Sequence, residues 1–390
     1  GKEYDFIVRG AGLRIQGTSS TTYPRKNYRI YFDRMEKYGT TLEVNGKDVP
    51  SLEYSFKPGA RPVKIWCLKA DFSDSSSTHT GAVRLVNDVW KKCGFLTPPQ
   101  QAYKGSYDLR IGVDGFPMDG FYDNDSSGNN KYLGKFNFNN EKSDSHVVYG
   151  FEGIEGFNDE ATLAGKENPC ICLEFLNNSK LLCLFSTSDM TEFDDSLEFR
   201  FPADVTWGDA TAYQKGAITR LWNWIVSCRN NPDKFKAEVS QYFDVNSLCA
   251  WYLFTDYFMA VDQRAKNMML ATWDGLTWYF LPYDADTILG SRNDSVLAYT
   301  YIITHETFDN STGSYAFAGH DSLLWELVRT AMKDKLIEVA GIIRSNMSTE
   351  EVLTMFNVTQ MGNWSERVYN KDGYFKYIQP LTEGVSTTEG

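Results

Sequence analysis

An Asp-Gly pair set between two apolar, aromatic-rich runs constrains this chain more than any other feature. Met268-Met269-Leu270-Ala271-Thr272-Trp273 precedes Asp274-Gly275, and Leu276-Thr277-Trp278-Tyr279-Phe280-Leu281 follows. A two-residue hairpin turn needs φ above zero, which Asp and Gly tolerate, and its twist matches that of the flanking strands. The spacing therefore predicts a tight β-hairpin. Folding back at that turn brings Asn267 near Pro282, so Asn267 and Asp284 meet at the open end. Acidic residues continue on both sides: Asp262 lies five residues before Asn267, and Asp286 two residues after Asp284.

That order of residue types has a chemical reading. Protein kinases use a catalytic Asp, an Asn five residues later that holds Mg²⁺, and a further Asp on the same metal. Asp262, Asn267 and Asp284 repeat the order and the step. Mg²⁺ takes hard oxygen ligands from one or two carboxylates, which Asp284, Asn267 and Asp286 supply. Asp262 is placed to accept or orient the proton of an attacking hydroxyl. The plainer alternative is that Asp262 caps one turn and Asp284 starts another, as Asp does at many strand ends. The chain also departs from the kinase pattern. Ala260-Val261 stands where kinases carry His-Arg, and Asp284-Ala285-Asp286 replaces Asp-Phe-Gly.

Phosphate binding requires cations, and several are in reach. Arg14, Arg25, Lys26 and Arg29 surround Gly17-Thr18-Ser19-Ser20. Lys69 follows an apolar strand, Lys135 sits in the aromatic run Leu133 to Phe138, and Glu141-Lys142 comes next. A lysine on such a strand suits an ion pair to phosphate, although a surface lysine is the ordinary case. Gly10-Ala11-Gly12 is too short a signal for a phosphate loop, and no Walker A, GxSxG or HExxH run occurs.

Composition removes other classes. Acidic residues outnumber basic ones 51 to 39, for a net charge of −12, which argues against a nucleic-acid surface. Hydrophobic residues make up 42% and aromatics 15%, enough for a large core. No apolar run reaches membrane-spanning length, and no signal peptide is read. The seven cysteines (67, 93, 170, 172, 183, 228 and 249) lack CxxC spacing and read as buried thiols.

The pattern predicts an α+β fold. Residues 1–210 read as a β-rich lobe with strands near 6–9, 13–16, 28–32, 63–68 and 131–139, and a helix over 79–92. Two further hairpins are expected: one turning at Asp114-Gly115, the other joining 171–175 to 181–185. Residues 211–380 read as a mainly helical lobe carrying the acidic hairpin, with helices over 215–229, 245–261 and 322–344. Ser348 and Glu351 form a capping box for another. The polar, aperiodic stretch 290–319 reads as a long loop, and 381–390 as a tail.

Several blocks together resemble the CotH kinase family. Leu13-Arg14-Ile15-Gln16-Gly17-Thr18-Ser19-Ser20 with Pro24-Arg25-Lys26-Asn27-Tyr28-Arg29-Ile30 is similar to its opening. Leu68-Lys69-Ala70-Asp71, Trp278 to Asp286, and His320-Asp321-Ser322-Leu323-Leu324-Trp325 are similar to later blocks, in order. Tyr283 stands where the family usually has Trp. The resemblance implies a two-lobed protein-kinase-like fold that binds ATP with Mg²⁺ or Mn²⁺ and phosphorylates protein Ser/Thr. It implies Asp262 as catalytic residue, Asp284 on the metal, and Trp278 against the nucleotide, with Lys135, Glu141 and Lys142 as phosphate-side candidates. The Gly134 to Asn140 block is closer to members in phage genomes and large surface proteins. A non-catalytic binding domain of a virion or cell-surface assembly is therefore the alternative, and a structural Ca²⁺ scaffold a third. Partners are expected to be a protein substrate or an assembly partner.

Overall fold

The computed structural model describes residues 7–17, 21, 26–33, 41–55, 62–70, 78–102, 109–122, 128, 131–142, 149–151, 169–176, 189–191, 193–260, 263–264, 267–285, 288 and 323–356. Their architecture is mixed α+β, with β-sheets in the N-terminal part and helices in the C-terminal part.

Two small strand pairings open the chain. β1 (Val8–Arg9) pairs with β4 (Leu42–Val44), which pairs with β5 (Lys47–Val49). A five-stranded antiparallel sheet then has the order β2 (Gly12–Gln16), β3 (Asn27–Tyr31), β6 (Ile65–Lys69), β8 (Lys131–Asn140) and β7 (Gly115–Tyr122). Side chains alternate along each strand, so register decides which residues share a face. Arg29 lies opposite Cys67, Cys67 opposite Asn139, and Lys69 opposite Asn137, which makes one face polar. Tyr28, Leu68 and Phe138 line up on the other. There Trp66 stacks on Phe138 with ring centroids 4.5 Å apart and planes 2° from parallel.

A four-stranded sheet has the order β10 (Leu197–Phe201), β9 (Ile171–Phe175), β11 (Met268–Thr272), β12 (Trp278–Pro282). It joins strands from both sides of residue 210. Every residue of β9, β11 and β12 is buried, which explains their near-continuous apolar sequence. The hairpin at Asp274-Gly275 forms one residue out of the expected register: Pro282 lies opposite Met268 rather than Asn267, and the Thr272–Trp278 pair closes a five-residue loop, 273–277, in place of a two-residue turn. Gly275 has φ 73°, and a Cβ there would lie 1.7 Å from the Tyr213 hydroxyl oxygen, so only glycine fits this turn.

Helix α1 (Thr78–Cys93) buries Ala82, Val83, Leu85, Val86 and Val89, the face expected from spacing. Short α2 (Pro98–Ala102) and α3 (Phe193–Ser196) follow. The C-terminal helices are α4 (Ala212–Ser227), α5 (Pro232–Glu238), α6 (Val245–Tyr257), α7 (Leu323–Ala331), α8 (Lys333–Asn346) and α9 (Thr349–Met355). Residues 248–255 of α6 are all buried, as an all-round apolar sequence requires. This helix stops at Tyr257, earlier than the sequence suggests. Ser348 and Glu351 form the capping box of α9. Helix α1 packs against α8 and α9, and the Cys93 thiol donates to the Ile342 carbonyl (3.8 Å). One hydrophobic cluster joins residues of both larger sheets to helices α1 and α3 to α9.

One expected hairpin needs correction, and the second strand of another lies outside the described residues. Asp114-Gly115 does not turn one: β7 begins at Gly115 and pairs with β8. Asp114 is instead buried, and its carboxylate is held by Arg110 (2.8 Å) and Arg84 (3.3 Å). Two arginines thus take the carboxylate that a local turn would have used. Strand β9 pairs with β10 and β11; the run 181–185 expected beside it lies outside the described residues.

Candidate functional site

The open end of the β11–β12 hairpin is where the backbone departs from strand geometry. Asn267 and Asp284 flank the Met268–Pro282 pair, with φ of 54° and 50°. L-residues rarely adopt the left-handed region, and Asn and Asp are the types that tolerate it best. The Gln263 side-chain amide donates to the Asp284 carbonyl oxygen at 2.9 Å.

The polar face of the five-stranded sheet meets this end. Lys69 Nζ, at the last position of β6, lies 3.8 Å from Asp284 Oδ1. That distance exceeds a hydrogen bond, so the atoms attract as ions without closing on each other. Arg29 Nη2, on β3, contacts Glu141 Oε1 at 2.6 Å, with the Glu141 side chain fully buried. Lys142 Nζ reaches Glu174 Oε1 on β9 at 2.5 Å and stands over the Tyr283 ring, 4.3 Å from its centroid. Arg200 on β10 pairs with the same Glu174. Charges from both sheets therefore converge where β3, β6, β8, β9 and β12 come together.

The electrostatics follow from that packing. Burial raises the Tyr283 hydroxyl well above the usual phenol range, and the carboxylates of Asp284, Glu174 and Glu141 add to it. Tyr283 is therefore a neutral hydroxyl in a charged neighbourhood. Burial, aided by Glu141, pushes the Cys67 thiol up to about 12, so it is no nucleophile. Burial is the largest influence on Arg29 and works to lower it, but Glu141, Tyr31 and Cys67 together outweigh it and the net shift is upward; Arg200 behaves the same way beside Glu174, Glu198 and Tyr283.

The polar face also carries groups that a folded protein alone does not explain. Arg29 Nε, Asn139 Oδ1 and Gln16 Oε1 are buried atoms without a hydrogen-bond partner among the described residues. Each such group costs about 1–3 kcal/mol. Of the three, Arg29 Nε is a donor that a phosphate oxygen can take, whereas the two amide oxygens accept and call for a donor or a cation. Among the described residues no group of three or more His, Cys, Asp or Glu is placed to hold a metal ion. One carboxylate and one amide beside a row of cations fits Mg²⁺ delivered with phosphate oxygens, which needs only one or two protein carboxylates.

The structure brings Lys69, Glu141, Lys142, Asn267 and Asp284 to this one region. Asp262 and Asp286 lie outside the described residues. Lys26, just before β3, donates to the Thr21 carbonyl (2.8 Å). Lys135 stands opposite Asp119 of β7, two residues before Asn137, which lies opposite Lys69. Trp278 is the clearest departure from expectation. It is fully buried near the turn end of the hairpin, opposite Thr272, and bonds to Tyr242 and Asp244 through its backbone. It offers no exposed ring face to a nucleotide.

Three site residues were not singled out from sequence: Glu174, Arg200 and Gln263. A signal existed for two of them. Glu174 is the one charge in Ile171-Cys172-Leu173-Glu174-Phe175, and Arg200 sits between Phe199 and Phe201. A charge in an apolar strand needs a partner, and each of these is the other's.

An α+β protein with an ion-lined junction between two sheets is what fold and site define. The family model of the CotH kinase protein matches residues 13–355, so the chain belongs to the CotH kinase family. No curated protein matches the chain. No helix among the described residues is long and apolar enough to cross a membrane.

Proposed function

We propose that this chain is an ATP- and divalent-metal-dependent protein Ser/Thr kinase of CotH type, folded as two lobes with the nucleotide between them. The observation that carries the reading is the approach of Lys69 to Asp284 at 3.8 Å, across two sheets and beside Asn267. A cation and a carboxylate held close but not hydrogen-bonded suit a phosphate group and its metal. Family membership points the same way.

In this reading Lys69 and Arg29 face the phosphates, with Lys142 beside them. Glu141 and Glu174 hold Arg29 and Lys142 in place and keep their charges balanced before nucleotide arrives. Asp284, Asn267 and Asp286 hold Mg²⁺ or Mn²⁺, which neutralises charge on the phosphate oxygens. Asp262 orients the acceptor hydroxyl and takes its proton as the oxygen attacks the terminal phosphorus, whose bond to the bridging oxygen breaks to release ADP. Neutral Tyr283 gives Lys142 a ring to rest on without adding negative charge.

A second reading is a non-catalytic CotH-like domain of a phage virion or bacterial surface assembly. It is favoured by Lys142, whose ammonium is already engaged by Glu174 and Tyr283. The test is ATP-dependent phosphate incorporation with Mg²⁺ or Mn²⁺ and casein as acceptor, comparing wild type with Asp284→Ala. Incorporation lost in the variant supports the kinase reading. No incorporation by wild type, together with no thermal shift on adding Mg²⁺-ATP, favours the binding domain.

A further inference from the structure

Two fully buried polar residues beside the site have no role in that scheme. Arg264 has its guanidinium stacked over the Tyr252 ring, 3.9 Å from the centroid. It donates to Thr255 Oγ1 (2.7 Å), the Tyr252 carbonyl (3.3 Å) and Asp256 Oδ1 (2.5 Å), all on α6. Its own carbonyl accepts from the Trp325 indole N–H on α7 (2.8 Å). Side chain and main chain of Arg264 are thus fixed to two helices. A guanidinium buried this deeply is far more than a turn needs, because each donor must be matched.

The residue before it uses that anchor. Gln263 is also fully buried, and its amide donates to the Asp284 carbonyl (2.9 Å). Asp284 is in the left-handed region, φ 50°, which a non-glycine residue holds only when its surroundings over-determine it. Pinning the carbonyl fixes the peptide plane, and with it the direction in which the Asp284 side chain leaves the backbone. That direction leads to Lys69.

We propose that Gln263 is a positioning residue: it holds Asp284 in the left-handed conformation that aims its carboxylate at Lys69, and Arg264 anchors it there. The inference rests on the reading of Asp284 as the metal- and phosphate-side carboxylate. It accounts for two buried polar side chains by one task, and it ties helices α6 and α7 to the site.

The experiment measures Mn²⁺-ATP affinity by calorimetry, and ligand-free melting, on the full chain. The variants are Gln263→Met, which keeps volume but lacks a donor, and Gln263→Glu, which is isosteric and turns a carboxylate toward the carbonyl. Gln263→Met should melt within about 3 °C of wild type, Gln263→Glu lower because its carboxylate is buried without a partner, and both should bind Mn²⁺-ATP about fivefold to tenfold more weakly. A residue that only stabilised the fold would lower melting and leave affinity unchanged at temperatures well below it. Wild-type affinity in both variants overturns this inference while leaving the kinase reading intact. A wild type that does not bind Mn²⁺-ATP overturns both.

Discussion

The β11–β12 hairpin has an aspartate at each end, and the two are used differently. At the turn, exposed Asp274 directs one carboxylate oxygen to the backbone N–H groups of Leu276 (2.8 Å) and Thr277 (2.7 Å) and to the Thr272 hydroxyl (3.1 Å). Its carbonyl accepts from Tyr213 (3.3 Å). Every contact is local or braces the turn. At the open end Asp284 has a carbonyl held by Gln263 and a carboxylate facing Lys69, which comes from a strand of the other sheet. The same residue type, at two ends of one hairpin, closes a turn in one place and faces a distant charge in the other. Burial and sequence distance to the partner separate the two uses, where residue type does not.

That contrast can be broken by substitution. The largest effect is expected from Lys69→Met, which should lower phosphate incorporation by about 100-fold or more. Its effect on stability should be small, because a partly exposed ion pair contributes only about 0–1 kcal/mol. Equal incorporation by Lys69→Met and wild type would mean that the Lys69–Asp284 approach is structural. Next, Asp274→Ala should reduce the free energy of unfolding by about 1–2 kcal/mol in urea denaturation, with Mg²⁺-ATP binding unaltered. Loss of nucleotide binding in that variant would erase the distinction between the two ends.

The smallest effect is on pH dependence. Buried Tyr283 and Tyr279 are raised well above the ordinary value of 10.0, and Cys67 from 9.0 to about 12. In the unfolded chain these groups ionise earlier than in the fold. The stability they confer is therefore complete below the ordinary thiol and phenol values and is lost as pH rises through the raised ones. The melting temperature should fall steadily above pH 9.0, and Cys67→Ala should flatten the first part of that fall. A flat profile into strong alkali would contradict the burial of these groups among acidic neighbours.

The hairpin and the nearness of Asn267 to the Asp284 end were legible because turn chemistry and strand alternation are local rules; the register slipped by one residue because Asp274 takes the Leu276 and Thr277 N–H groups and the loop widens to 273–277. Helices α1 and α4, the all-round apolar α6 and the capping box of α9 were legible for the same reason. Asp114-Gly115 misled because the same dipeptide signal was overridden by Arg110, four residues earlier, and by Arg84 from helix α1. Trp278 misled because an aromatic beside a site is equally an aromatic in a core, and only packing decides. Glu174, Arg200 and Gln263 were not found because their partners are separated from them in sequence. Glu174 and Arg200 alone are 26 residues apart, and nothing in either neighbourhood names the other.

Calorimetric titration of Mg²⁺-ATP into wild type, Asp284→Ala and Asp274→Ala tests the account most directly. The account predicts binding by wild type, its loss in Asp284→Ala and its retention in Asp274→Ala. No binding by wild type, or equal binding by the two variants, would contradict the claim that the open end of this hairpin is a nucleotide and metal site.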